Sequence, residues 1–153
     1  MIKRYFATKD NTITNAFQEN LTTRGTGSNM GQADILEVFS IYGQTSASSG
    51  LSSEKSRFLI QFDTSDIITD RSNSKIPASG NVAWFLKLHN AKHSQQLPRD
   101  YTLEILAVSA SWEEGLGLDM EGYTDLTYNI RGSNWINSAG STTWKDPSDS
   151  PGY

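Results

Sequence analysis

The stretch SRFLIQFD, residues 56–63, shows the pattern on which the fold prediction depends. One side of an extended chain would carry Phe58, Ile60 and Phe62, and the opposite side would carry residues 57, 59 and 61. A period of two with aromatic and aliphatic side chains is typical of a β-strand. The stretch therefore predicts a strand that separates two different faces.

Similar short apolar runs recur along the chain, and each is bounded by turn-forming residues. None of them keeps a helical stripe of apolar residues for three turns, so we expect little helix. Many short strands joined by polar turns predict an all-β fold, namely an antiparallel β-sandwich, with a jelly roll as the favoured arrangement. The predicted strands are residues 2–8, 11–17, 34–42, 56–63, 82–90 and 101–111.

Long polar connections separate these strands, at residues 18–34, 43–55 and 64–81. Loops of this length are usually functional, packed on themselves or mobile. The segment GTGSNMG, residues 25–31, lacks the spacing and the following helix of a phosphate-binding loop, so it predicts a long glycine-rich turn.

We expect one β-sandwich domain over residues 1–153. Its turn-rich end fits either an open-edged sheet or the N-terminal part of a longer polypeptide, and both hypotheses stay open.

Composition excludes several classes of protein. The net charge of -4 and the pI of about 5.1 argue against a general affinity for nucleic acid. The absence of cysteine excludes disulfides, thiolate metal sites and cysteine nucleophiles. No apolar run approaches the ~20 residues of a membrane span, and no secretory signal precedes the first strand. The simplest interpretation is synthesis in a cytoplasm without export by the general secretory route.

Catalytic patterns are weak in this sequence. His89 and His93 have the spacing of a helical metal pair, but they fall at a strand end and in the following turn, so surface histidines are the better interpretation. The carboxylates at positions 113, 114, 119 and 121 lack a partner fixed across a cleft, which glycoside chemistry requires. We therefore predict that the chain is not an enzyme.

No cofactor is predicted. Structural calcium is the alternative, because oxygen ligands occur on loops at Asp63, at Asp66 and in the acid-rich residues 113–125. Neither place has the spacing of a known calcium-binding loop.

Three of the four tryptophans, Trp112, Trp135 and Trp144, lie within residues 109–144, which are rich in glycine, asparagine and serine. Exposed, these rings would be candidates for binding a glycan by stacking. Buried, they would anchor irregular backbone, since one aromatic side chain buries roughly 150–250 Å². The sequence favours anchoring. Trp84 lies inside the predicted strand at residues 82–90 and is expected to be structural.

Several of these motifs also carry a family likeness. ATKDNTI, SRFLIQFDTSDI, VAWFLKLHN, VSASWEEGLGL and GSNWINSAGSTTW follow one another in the order seen in DNRLRE-type domains, which the chain resembles. The shared features are an Arg-aliphatic-Phe-Asp strand, a Trp-x-Glu-Gly turn and a late tryptophan pair around a Gly-Ser/Thr turn. The resemblance implies a jelly roll similar to some carbohydrate-binding modules. Two features of the family are missing from this chain: the DNRLRE motif that gives the family its name, and the last strands, which in the family follow the final tryptophan.

The segment RYFATKDNTITNAF, followed by GTGSNMGQADILEVFSIYG, is similar in sequence to segments of virion structural proteins of marine tailed phages, notably cyanophages. This resemblance implies a non-enzymatic virion subunit for attachment or assembly, in the neck, tail or fibre-anchoring region. The alternatives are a capsid decoration protein and a carbohydrate-binding module that recognises a host surface glycan. The expected partners are other virion proteins, through homo-oligomers or repeated attachment to a larger ring, with a glycan as the alternative. The expected location is the virion, assembled in the host cytoplasm, with no nucleic-acid or membrane partner.

Overall fold

The computed structural model describes residues 1–18, 20–42, 53–92, 100–118, 132–146, 148 and 150–151. The described part of the chain is mostly strand and coil, and about 10% of it is helical. The strands form two small antiparallel sheets. The prediction of a β-rich chain with little helix is confirmed.

The chain divides into two compact units, which are described separately. The first unit comprises residues 1–5 and 63–108, and contains helix α1 (Thr64–Ser72) and a 3-10 turn at Ser79–Asn81. The second comprises residues 6–62 and 109–153. Its strands are β1 (Ala7–Thr14), β2 (Ser40–Tyr42), β3 (Ser53–Phe62), β4 (Asn137–Ala139) and β5 (Thr142–Thr143).

The larger sheet has the order β1-β3-β2, so β3 lies between two antiparallel neighbours. Its register places Asn11 opposite Leu59 and Ile13 opposite Arg57. Because side chains alternate along a strand, these four residues share one face of the sheet. Leu59 on this face is buried, whereas the side chains at 58, 60 and 62 are only half-buried. The core therefore forms on the face that also carries an arginine.

The first three predicted strands differ from the observed ones. Residues 2–8 and 11–17 were separate in the prediction, but one strand, β1, spans residues 7–14, with an irregularity near its start. Residues 34–42 pair only at positions 40–42. Upstream of these, the Ser56 hydroxyl donates to the carbonyl of Glu37 at 2.9 Å and accepts from the amide of Phe39 at 2.7 Å. The Ser56 side chain thus takes two bonds that a ladder would have used, while the Ser56 amide still donates to the carbonyl of Phe39 at 3.1 Å.

The predicted strands at residues 82–90 and 101–111 are wrong. In the part of the chain that the structure describes, neither segment pairs with another strand, and most of their side chains are exposed. Strand formation depends on a neighbour that supplies hydrogen bonds and packing, and no alternation in the sequence can supply that neighbour. Trp84, expected to be structural, is 53% exposed.

Helix α1 lies in what was predicted as a polar connection. Asp63 caps its N-terminus by accepting a hydrogen bond from the amide of Ser65 at 2.8 Å, and this bond lowers the pKa of the Asp63 carboxyl. The helix has nine residues. Among the described residues, no helix is long and apolar enough to cross a bilayer.

Asp70 of α1 organises the first unit. Its carboxylate contacts the ammonium of Lys3 at 2.8 Å and that of Lys75 at 3.4 Å, and accepts from the hydroxyl of Tyr5 at 3.0 Å. The Tyr5 ring lies 6.2 Å from the ring of Trp84, centroid to centroid. The Lys3 hydrogen bond is the main reason that the pKa of Asp70 is lowered, and it raises the pKa of Lys3 in turn.

These contacts predict an acid-sensitive first unit. Because the pKa of Asp70 is lower in the folded chain, its contribution to stability is present above the unfolded carboxyl pKa of about 3.9 and is lost as the pH falls through the folded value. We expect Trp84 fluorescence to change as the pH falls below about 4. In Asp70→Asn the change at acid pH should be smaller, and the neutral-pH spectrum should already resemble the acid form. Asp100→Asn, an exposed control in the same unit, should keep the wild-type profile.

Candidate functional site: the tryptophan core and its groove

Two of the candidate tryptophans lie in the core of the second unit. Trp112 and Trp135 are each 7% exposed and pack with Ile13 and Leu59, which lie on the neighbouring strands β1 and β3 of the larger sheet. Trp144 is half-buried against the same cluster. The rings therefore lie where the anchoring interpretation expects them. A glycan-binding role for the three rings stays a prediction.

Trp144 closes a small hairpin around this core. Its amide donates to the carbonyl of Ile136 at 3.0 Å, and its indole N–H donates to the carbonyl of Asn134 at 2.7 Å. The Asn134 side chain accepts from the amides of Ile136 and Asn137, at 2.9 and 2.7 Å. Gly140, in the turn between β4 and β5, has a φ of 50°, a left-handed conformation that favours glycine.

The backbone beside Trp112 is held in the same way. The amide of Glu113 donates to the carbonyl of Ser138 at 3.0 Å, and its carbonyl accepts from the amide of Ser133 at 2.8 Å. The Glu114 carboxylate accepts from the amide of Asp10 at 2.9 Å. Irregular segments at both ends of residues 109–144 are thereby fixed to each other and to β1.

A fully buried amide, that of Asn11, joins β1 to two distant segments. Its nitrogen donates to the carbonyl of Ser133 at 3.0 Å and to the hydroxyl of the same residue at 2.8 Å. Its oxygen accepts from the amide of Met30 at 2.9 Å, and that amide also donates to the carbonyl of Thr12 at 3.0 Å. Asn11 and Ser133 are 0% exposed, so the bonds form without access to water.

Asn29 makes a second buried link, which four glycines allow. Its oxygen accepts from the amide of Gly117 at 3.0 Å. A Cβ on Gly115 or Gly117 would overlap Asn29, and one on Gly31 or Gly132 would overlap the backbone of Gly115. The predicted glycine-rich turn at residues 25–31 is therefore also a close packing contact with residues 115–117.

Sequence reasoning missed these two asparagines. Polar residues between apolar runs predict exposed turns, and nothing in their local pattern separates a buried amide from a solvated one. The glycines gave a usable signal, because GTGSNMG and EEGLGL each contain closely spaced glycines of the kind that close backbone contact requires.

An open groove of about 450 Å³ borders the core on one side. We call it the Arg57 groove. The guanidinium of Arg57 lies 4.1 Å from the centre of the Trp135 ring. The guanidinium of Arg24 lies 3.8 Å from the centre of the Phe17 ring and donates to the carbonyl of Asn15 at 2.8 Å. The lining residues are Asn15, Arg24, Thr26, Lys55, Arg57, Trp135 and Ile136.

Those catalytic and metal candidates that lie in the described part of the chain do not come together as a metal site. His89 is exposed, and His93 lies outside the described residues, as do the acidic positions 119 and 121. Asp63 is used as the cap of α1. Among the described residues, no three histidine, cysteine or acidic side chains are close enough together to hold a metal ion.

The close packing at Asn29 predicts a large difference between two glycine substitutions. Gly117→Ala should lower the free energy of unfolding by about 1–3 kcal/mol, because the added methyl group overlaps backbone and the buried amide must move. Gly80→Ala has open space around its Cβ and should change stability by less than about 0.5 kcal/mol. Urea unfolding followed by circular dichroism measures both. Equal effects would contradict the packing described.

The burial of the tryptophans predicts a second contrast. Trp112→Ala should cost about 3–5 kcal/mol of unfolding free energy, since it empties a buried site. Trp84→Ala, at an exposed ring, should cost less than about 1 kcal/mol. Thermal unfolding of both variants checks this. A Trp112→Ala variant that keeps the wild-type melting temperature would contradict an anchoring role.

Comparisons with models of protein families, with curated proteins and with solved structures gave no match. The likeness to DNRLRE-type domains and to phage virion proteins therefore rests on the residues quoted above and stays an expectation.

Proposed function

We propose that this chain is a non-enzymatic structural subunit of a tailed-phage virion, acting in attachment or assembly at the neck, tail or fibre-anchoring region. The resemblance of the N-terminal motifs to virion proteins of marine phages supports the assignment to a phage particle. A β-sandwich that is completed by contact with neighbouring subunits would account for the small sheets described above.

The observation that carries this proposal is the exposure of large apolar side chains in the first unit. Among the described residues between 84 and 108, nine such side chains are each more than one-third exposed. Ile105 and Leu106 are exposed to 72% and 73%. The others are Trp84, Phe85, Leu86, Leu88, Tyr101, Leu103 and Val108.

Exposure on this scale favours a partner. A fully exposed apolar side chain of this size gains roughly 1.5–3 kcal/mol on complete burial, and each of these gains the share that corresponds to its exposed fraction. The two segments that carry these side chains also have the period of strands and make no ladder among the described residues. A neighbouring subunit that supplies a strand would satisfy the backbone and cover the side chains at once.

The capsid decoration alternative differs from this proposal in copy number. A number that matches the major shell protein would indicate a decoration protein, and a number that matches a tail or neck ring would support the proposal.

The glycan alternative needs exposed rings, whereas Trp112 and Trp135 are buried and Trp144 is half-buried. Trp84 is the exposed indole, and it stands among the apolar residues assigned to assembly.

Charge introduced into the exposed apolar segment should block assembly. In a phage that expresses the double variant Ile105→Asp, Leu106→Asp, we expect at least ~10-fold less of the chain in gradient-purified particles, because two apolar contacts become buried charges. Quantitative mass spectrometry of the particles measures the incorporation and the copy number together.

Ile68→Asp is a single-charge control at another exposed apolar position, since Ile68 is 62% exposed on α1 of the same unit. It should be incorporated like the wild type, and both proteins should unfold at the wild-type temperature. Absence of the wild-type chain from purified particles would overturn the proposed function. Normal incorporation of the double variant would overturn the assembly role of residues 84–108.

A further inference from the structure

We infer that the Arg57 groove binds acidic side chains of a partner polypeptide. The inference rests on the proposed assembly function and names the chemistry of one of its contacts. It concerns the second unit, whereas the apolar residues assigned to assembly lie in the first.

The groove collects positive charge in an acidic chain. Arg24, Lys55 and Arg57 line it, which is three of the 13 lysines and arginines in a protein with a net charge of -4. None of its described lining residues is acidic. Lys55 and Arg57 are two apart on β3, so their side chains leave the same face of the sheet. A cluster of this kind attracts the carboxylates of a ligand.

Two of the three cations are held in place before any ligand arrives. Arg24 is fixed by the carbonyl of Asn15 and the ring of Phe17. Arg57 stacks on Trp135, and its side chain is exposed. A guanidinium that stacks through its face still presents N–H groups at its edge, in the fork geometry that pairs with a carboxylate. Holding these side chains in advance lowers the entropy lost on binding.

The carboxylate next to Lys55 in sequence does not line the groove. Glu54 points to the other side of β3, is 0% exposed, and accepts from the amide of Phe17 at 2.8 Å. The positive charge of the exposed Lys55 and Arg57 is therefore turned toward solvent and toward a ligand in the groove.

The geometry favours acidic side chains over two other occupants. A neutral sugar needs a flat uncovered ring, but Trp135 is 7% exposed and lies under Arg57. A partner strand needs free backbone groups, but at Lys55 the amide donates to the side chain of Asn15, and the carbonyl accepts from the hydroxyl of Thr14. The groove therefore contacts a ligand through its side chains, and their positive charge favours carboxylates.

The test uses the full chain and fluorescein-labelled hexaglutamate, with hexaglutamine as the uncharged probe. We expect anisotropy titrations at low salt to show hexaglutamate binding that weakens as salt is raised, and no binding of hexaglutamine. The double variant Lys55→Gln, Arg57→Gln should weaken hexaglutamate binding by about 10-fold for each cation removed. In NMR spectra, the indole N–H signal of Trp135 should shift during the titration.

The double variant Lys87→Gln, Lys92→Gln is the control, because it removes the same charge from exposed positions outside the groove. It should bind hexaglutamate like the wild type. Equal weakening by both double variants would overturn the site and indicate diffuse electrostatics. Binding of oligogalacturonate without binding of hexaglutamate would overturn the polypeptide occupant. Because the titration uses the isolated chain, its failure is distinct from absence of the chain from particles.

Discussion

The architecture of the second unit depends on one buried amide, the side chain of Asn11. Its nitrogen bonds to Ser133, 122 residues away along the chain, and its oxygen bonds to Met30, 19 residues away. Ser133 is buried, so the loss of Asn11 would remove the donor from its carbonyl and hydroxyl groups where water cannot replace it, at about 1–3 kcal/mol for each group left unsatisfied, and would leave the Met30 amide with the Thr12 carbonyl alone. This constraint brings the loop at residues 25–31 and the segment after residue 132 onto the face of β1.

The tryptophan core and the groove follow from that arrangement. Once the segment after residue 132 is fixed on β1, Trp135 covers Ile13 and Leu59, and Arg57 on the same sheet face meets the indole. A stacked guanidinium and a neighbouring lysine then border an open groove. The same rings that stabilise irregular backbone thus position the charges for which we propose a ligand.

The sequence predicted the local part of this arrangement and missed the long-range part. Strand β3 was predictable from its alternation, but the burial of Leu59 rather than its aromatic neighbours depends on tryptophans far along the chain. The burial of Asn11 has the same origin, since its partners are distant. Helix α1 had a local signal, an aspartate cap before Thr64, that the loop interpretation overlooked. The alternation of apolar and polar residues at 82–90 and 101–111 indicates that these segments could pair as strands, but it does not predict which strand they would pair with.

Hydrogen exchange of the Met30 backbone amide tests the role of Asn11 most directly. The amide lies in a glycine-rich loop yet donates to both Asn11 and Thr12. If the Asn11 amide holds the unit together, this proton exchanges as slowly as the ladder amides of β1 and β3, through global unfolding. Exchange at the rate of an exposed loop amide, while the β1–β3 ladder stays protected, would contradict the account.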